Sequence, residues 1–253
     1  MTFVSYTRNF EDVILNRVFG NIDKGFFVDV GAHYPVIDSN TYGLYKRGWR
    51  GIAIEPLPEC APQWAQIRRH DIYIAAAAGN TSGNITFFQF EGRSQNATTS
   101  AETVRDFQAL GVPATSVTVP MVTLDELLAQ HRPSEPIHCI SIDVEGAEKA
   151  VLEGLDLNKY RPWLVLLESV LPGRPIPNFA GWEPLLLERG YDFVYFDAVN
   201  RYYLAKEHAA LKRYFQFPPN VWDNFVDYRI DALTQQLAKT QAELALLKQQ
   251  PKP

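Results

Sequence analysis

The sequence predicts an α/β protein: a mostly parallel sheet with helices on both faces. Three observations lead there. Short runs of apolar and β-branched residues alternate with stretches of helical period, the signature of repeated strand–helix–strand units. Trp163 to Glu168 is almost wholly apolar, as a strand covered on both faces must be. Acids stand at the ends of four strand runs (Asp29, Glu55, Asp143 and Glu168), where open α/β sheets bind their ligands.

At 253 residues the chain is long enough for one large domain and an appendage. The expected division is a main domain over 1–222, carrying an insertion at about 84–122, and a C-terminal helix over 223–253. The composition, 46% hydrophobic and 21% charged, is that of a soluble globular chain. A net charge of −5 argues against nucleic-acid binding, which needs a basic footprint. Two cysteines, Cys60 and Cys139, are too few for a disulfide framework or a four-cysteine zinc site, and Cys139 reads as a small buried hydrophobe. Met1 to Phe10 lacks the apolar core of a signal peptide, and no run approaches the roughly 20 apolar residues of a membrane span. A cytoplasmic protein is therefore expected, and the triplet Asn96-Ala97-Thr98 is not read as a glycosylation site.

The elements follow in order. Asn9–Phe19 has helical spacing, with Asn9 and Asp12 as a capping pair. Phe26–Val30 is a buried strand, and Asn40–Arg47 a helix stopped by Gly48. Gly51–Glu55 is the second strand, Pro62–Arg69 a helix, and Ile72–Ala76 the third strand. The rhythm then breaks: Asn84–Phe90 and Ser116–Val122 read as strands around a polar stretch, Glu91–Ser100, and a helix, Ala101–Leu110. It resumes with a helix at Thr123–Gln130, opened by a Thr123/Glu126 capping box, a strand at Ile137–Asp143, and a helix at Ala147–Glu153. The strand Trp163–Glu168 and the helix Gly181–Arg189 precede a hairpin of Tyr191–Phe196 and Arg201–Ala205. From Phe225 no strand is expected. Val226, Ile230, Leu233, Leu237, Thr240, Leu244 and Leu247 alternate four and three apart, a heptad seam ended by Pro251 and Pro253. This tail either folds back on its own domain or joins copies or partners.

The chemistry lies at the strand ends. In Asp29-Val30-Gly31-Ala32-His33 the glycine allows close approach of a ligand, but the further glycines of a dinucleotide fingerprint are missing. That argues against a nicotinamide oxidoreductase or epimerase. Glu55, followed by Pro56, ends the next strand 26 residues later, where a carboxylate can accept both hydroxyls of a ribose. Asp29 and Glu55 together describe an adenosine-type ligand. The run Ile140 to Gly154 (ISIDVEGAEKAVLEG) places Asp143 and Glu145 on a small-residue turn that opens a helix.

That run, with Val122 to Leu128, Asp29 to Ala32, Glu55-Pro56 and Ser5 to Leu15 in the same order, resembles the FkbM family of S-adenosylmethionine-dependent methyltransferases over about residues 5 to 205. The resemblance implies a Rossmann-like class I methyltransferase: a mostly parallel seven-strand sheet with an antiparallel final strand. It implies S-adenosylmethionine near Asp29, Gly31, Ala32, Glu55, Pro56 and Asp143, and O-methylation of a sugar or glycan, including a surface polysaccharide, or of a secondary metabolite; the expectation taken forward is the sugar or glycan. The chain departs from the family at Arg8, where a glutamine is usual, and at His33 and Pro35. The methionine end of the cofactor is therefore expected to be held differently. Ser39 and Asn40, at the start of the first crossover helix, are candidates to receive its carboxylate.

A sugar hydroxyl is a poor nucleophile at neutral pH and needs a base or a metal. Candidate catalytic residues are Asp143, Glu145, Glu168 and His33, the last with the best-matched unperturbed pKa. By fold analogy with catechol-type O-methyltransferases, Asp143 and Glu168 are candidate magnesium ligands. Gln95 to Arg105, Tyr34, Tyr45 and Trp49 are candidates for an acceptor pocket. Residues 225–250 offer a route to a homo-oligomer or a glycosyltransferase partner. A non-catalytic module that recruits partners through this tail is the rival expectation.

Overall fold

The computed structural model describes residues 2–91, 96–131 and 136–249. A short strand β1 (Phe3–Ser5) and helix α1 (Glu11–Val18) precede the first core strand, β2 (Phe26–Val30). Two crossovers follow: α2 (Tyr42–Lys46) to β3 (Arg50–Ile54), and α3 (Ala61–Ile67) to β4 (Ile72–Ile74). A second block interrupts, with β5 (Ala77–Ala78), β6 (Gly83–Phe90), α4 (Ala101–Ala109) and β7 (Ala114–Val122). The alternation resumes through α5 (Leu124–His131), β8 (Ile137–Ile142), α6 (Glu148–Glu153), β9 (Leu164–Glu168) and α7 (Glu183–Leu187) to the hairpin β10 (Tyr191–Phe196) and β11 (Asn200–Ala205). Two 3-10 segments, Lys206–Phe215 and Val221–Asp223, lead to β12 (Phe225–Asp227) and α8 (Tyr228–Gln249).

Seven strands form the main sheet, in the order β10-β11-β9-β8-β2-β3-β4. All run parallel except β11, which is antiparallel to both its neighbours. From β2 the chain builds outward through β3 and β4. It then returns to the other side of β2 with β8 and continues outward to β9. The switch point therefore lies between β2 and β8, whose carboxyl ends are Val30 and Ile142.

Alternation along β2 divides the core. Phe26, Val28 and Val30 pack on one face with Leu124, Leu128, Val151 and Leu186 from α5, α6 and α7. Phe27 packs on the other with Ile14, Leu15 and Leu44 from α1 and α2. In β9 four consecutive residues, Leu164 to Leu167, are fully buried, each contributing about 1.5–3 kcal/mol of burial. That is why this strand shows no polar alternation.

Several local expectations are corrected. Asn9 and Asp12 do not cap α1: Phe10 takes the cap position in a left-handed conformation, without a side-chain cap bond. Asp12 instead accepts hydrogen bonds from the Ser5 hydroxyl (2.6 Å), the Tyr6 N–H (2.7 Å) and the Thr7 hydroxyl (3.0 Å), and so ties β1 to α1. Only half of the Thr123/Glu126 box forms. Thr123 Oγ1 accepts from the Glu126 N–H at 3.2 Å, while the Glu126 carboxylate accepts from the Ser82 hydroxyl. The inserted block is a sheet of three strands, not two, because Ala77–Ala78 pairs with β7. Phe225–Asp227, where no strand was expected, pairs in parallel with β1 and fastens the base of α8 to the N-terminus. Beyond that strand the helix leaves the body: every residue from Ala232 to Leu246 is exposed. Pro251 and Pro253 lie outside the described residues.

Candidate active site

The site forms where β2 and β8 part. Gly31, at φ +77°, follows β2, and a Cβ there would lie 1.7 Å from the Asp143 carbonyl oxygen. Only glycine lets the two strand ends close up this far. The Gly31 N–H donates to the Ile54 oxygen (2.9 Å) and the Asp143 N–H to the Val30 oxygen (2.9 Å), so the two turns leave the sheet in register.

Two adjoining cavities open here. One, of about 490 Å³ counting the open space at its mouth, is lined by Glu55, Pro56, Leu57, Ala76 to Ala78, Phe87, Ala97 and Thr99. The other, of about 1170 Å³ counted in the same way, is lined by Thr7, Arg8, Asn9, Glu11, Asp38, Asn40, Asn96 and Glu168, among others. Both are open to solvent at the mouth, and Gly31, His33, Asp143 and Glu145 line both. The structure thus brings together Gly31, His33, Asn40, Glu55, Pro56, Asp143, Glu145 and Glu168 of the residues singled out by sequence.

Glu55 is buried, and its two oxygens accept one backbone N–H each, from Leu57 (2.8 Å) and His33 (2.9 Å). Each oxygen keeps a further lone pair for a ligand hydroxyl. Burial pushes its pKa up to about 7 against the pull of those two bonds. His33 sits at φ +41° with its ring edge-on to Tyr34, and its carbonyl accepts the Trp64 indole N–H at 2.8 Å. Burial lowers its pKa and so favours the neutral form of the imidazole.

Glu145 is the most constrained acid. It is buried at φ +55°, a left-handed conformation that costs a non-glycine residue about 1–3 kcal/mol. The inserted block holds it there. The Thr98 and Thr103 hydroxyls donate to its carbonyl (2.8 and 3.1 Å), and Asn96 Nδ2 donates to its Oε1 (3.1 Å). Glu148, which sequence reasoning passed over, completes the turn by accepting the Gly146 N–H at 3.0 Å.

Carboxylate oxygens of Asp143, Glu145 and Glu168 lie within 4.8 Å of one another. Burial and mutual repulsion raise the proton affinity of Glu145 and Glu168, and Glu168 hydrogen-bonds Asp143. Asp143 stays open to cavity water although protein crowds its other sides, and that crowding raises its pKa too. Glu145 Oε2 and Glu168 Oε2 are buried without a hydrogen-bond partner. Three hard oxygen ligands with two orphaned oxygens fit a divalent cation such as magnesium. Among the described residues, Arg8 is the only lysine or arginine lining either cavity, and it pairs with Asp38 at 2.6 Å.

Other expected residues stand elsewhere. Asp29 shares the Phe27 face of β2 and points beneath α2, not into either cavity. It accepts the Thr41 hydroxyl at 2.5 Å, and buried Arg68 donates to Thr41 (2.9 Å) and Ser39 (3.1 Å). Ser39 is therefore committed to the wall, whereas Asn40 lines the larger cavity with its Nδ2 on Ser141 Oγ at 3.0 Å. α2 begins only at Tyr42 and is five residues long, so Ser39 and Asn40 lie before it. Ala32 is buried beside Leu57 and Trp64. Trp49 is wholly buried in the core with Phe19, and Tyr45 lies over Arg68 and Arg50 behind the sheet ends, so neither offers a face for a sugar. Gln95 lies outside the described residues.

A cleft at the switch point of a mostly parallel sheet, walled by strand-end acids, marks the ligand site of an open α/β fold. The chain matches the methyltransferase FkbM domain over residues 29–193, well over half its length, and it belongs to that family. It is a methyltransferase. No curated protein matches it. Among the described residues, no helix is long and apolar enough to cross a membrane.

Proposed function

We propose that this chain is a Rossmann-like class I methyltransferase that uses S-adenosylmethionine to methylate a hydroxyl of a sugar or glycan in the cytoplasm. The observation that carries this reading is the pair of adjoining cavities and their unlike linings. The smaller combines alanines and Phe87 with the Glu55 carboxylate, which suits a nucleoside. The larger is lined by carboxylates, amides and a hydroxyl, which suits a polyhydroxylated acceptor. The strand order, with one antiparallel strand inserted beside β9, supports the class.

S-adenosylmethionine supplies a methyl group on a sulfonium, already a strong electrophile. The chain's task is then alignment and one proton. Holding acceptor and methyl in line removes translational and rotational freedom worth about 7–11 kcal/mol. Glu55 orients the ribose through its free lone pairs, and Asn40 with Arg8 presents donors to the opposite end. His33 and Asp143, both at the wall shared by the two cavities, are the groups that would take the hydroxyl proton. Asp143, Glu145 and Glu168 would hold a divalent cation, which would lower the pKa of a hydroxyl bound to it.

Calorimetric titration with S-adenosylmethionine tests the first half. Saturable binding is expected, weakened by Glu55→Gln by about 1.5–3 kcal/mol, the scale of a charged hydrogen bond. Mass spectrometry on a panel of nucleotide sugars and oligosaccharides tests the second half, with a gain of one methyl expected. A folded protein that binds no cofactor would overturn the proposal.

A further inference from the structure

We propose that α8 pairs with α8 of a second copy of this chain as a parallel coiled coil. The surface that would do this is unusual for the molecule. Half of the large exposed hydrophobic side chains in the described structure fall between residues 217 and 246. Seven of these eight form two groups, with Leu246 outside both. Ile230, Leu233, Leu237 and Leu244 run along α8, with Thr240 in the same row. Their four–three spacing makes a stripe along the a and d positions of a heptad, and Leu246 is the one large exposed apolar side chain of residues 229–246 that stands off it. That pattern is the narrow seam of a two-helix pair and not the wider face of a helix packed on a globular core.

The second group, Phe217, Val221 and Trp222, lies just before the helix, and Trp222 is 91% exposed. This segment is held in place. Arg17 donates to the carbonyls of Tyr214 (2.9 Å), Phe217 (2.7 Å) and Pro218 (3.0 Å) and forms a two-pronged ion pair with Asp223 at 2.6 Å. Asn220 and Asp223 add a reciprocal capping box. A rigid loop that presents a tryptophan to solvent is built to be covered.

Charge selects the occupant. Of the positions flanking the seam, Thr234, Gln236 and Gln241 are uncharged, while Arg229 and Glu243 carry opposite charges. The charges of residues 229–246, Arg229, Asp231, Lys239 and Glu243, sum to zero. An identical surface therefore meets no like-charge repulsion, which a strongly basic or acidic partner would not require. The parallel orientation follows from the collar. Trp222 lies six residues before α8, within about 20 Å of its start. Side-by-side helices bring two collars together and cover both apolar groups. Opposed helices about 33 Å long would leave the collars apart and exposed.

Light scattering of the full chain at micromolar concentration tests this, with twice the monomer mass expected. Leu233→Glu with Leu237→Glu should return the monomer mass with an unchanged circular dichroism spectrum, because both residues are exposed. Thr240→Cys should cross-link between copies under mild oxidation, since only parallel, in-register helices place that d residue opposite itself. A monomeric wild type overturns the proposal, as does a dimer that survives the double glutamate variant. A dimer without the Thr240→Cys cross-link overturns the parallel arrangement. Flotation with anionic vesicles in place of self-association would make the surface a membrane contact and refute it.

Discussion

Asp29 and Asp143 stand at the ends of adjacent strands and look alike in the sequence, yet they serve different ends. Parity decides it: Asp29 falls on the Phe27 face, under α2, while Asp143 follows the end of β8 and enters the cleft. The wall behind the site rests on Arg68, which is 1% exposed and joins Asp71 (2.8 Å), Ser39 and Thr41. Arg68→Ala strands Asp71 and Asp29 as uncompensated buried acids. A loss of about 3–5 kcal/mol is expected in a denaturant titration. The buried acids also predict a pH dependence. Burial lifts Glu11, Glu55 and Glu148 from 4.5 to about 7. A group whose pKa is raised by folding contributes stability that is complete below its unfolded value and is lost as pH rises through its folded value. The unliganded protein should therefore melt at a higher temperature at about pH 5 than at about pH 8. Glu148→Gln should flatten that slope, and an unchanged slope would show that Glu148 is not among the groups responsible.

At the scale of elements, the inserted block proves to be part of the site wall. Its Asn96, Thr98 and Thr103 hold the turn after β8, and Ala97 and Thr99 line the smaller cavity. Thr98→Val with Thr103→Val removes both hydroxyl donors to the Glu145 carbonyl while keeping side-chain volume. The expected result is an intact fold with weakened cofactor binding, because the left-handed Glu145 loses the contacts that compensate its strain. Wild-type affinity in that variant would show that the turn holds itself. Gly31→Ala is expected to be more severe. Its Cβ would collide with backbone, the Asp143 carbonyl, and not with a movable side chain, so β2 and β8 would have to part at the switch point. Loss of cofactor binding with retained helix content, followed by circular dichroism and calorimetry, is the outcome expected.

At the scale of the whole molecule, a net charge of −5 and a cleft walled by Glu11, Glu55, Asp143, Glu145 and Glu168 favour a cationic ligand. S-adenosylmethionine should bind more tightly than the uncharged-sulfur product S-adenosylhomocysteine. The difference should shrink with added salt and as pH falls through about 7, where Glu11 and Glu55 protonate. Equal affinities at low salt would contradict this. The strand–helix alternation, the acids at the strand ends and the heptad spacing of the tail were all legible in the sequence. They arise from local periodicity and from the chemistry of single residues. The β1–β12 pairing was not legible, because it joins two three-residue segments more than 200 positions apart and neither forms a strand alone. Nor was the grip of the insertion on Glu145, which crosses 42 to 49 positions through hydroxyl and amide groups that look like ordinary loop polarity. By itself, then, the sequence determined the α/β class, the family and which acids end strands, since each depends on neighbours along the chain. Only the tertiary structure decided which of those acids face the cavities and which support the wall, because strand parity, sheet register and long-range hydrogen bonds set the direction of a side chain.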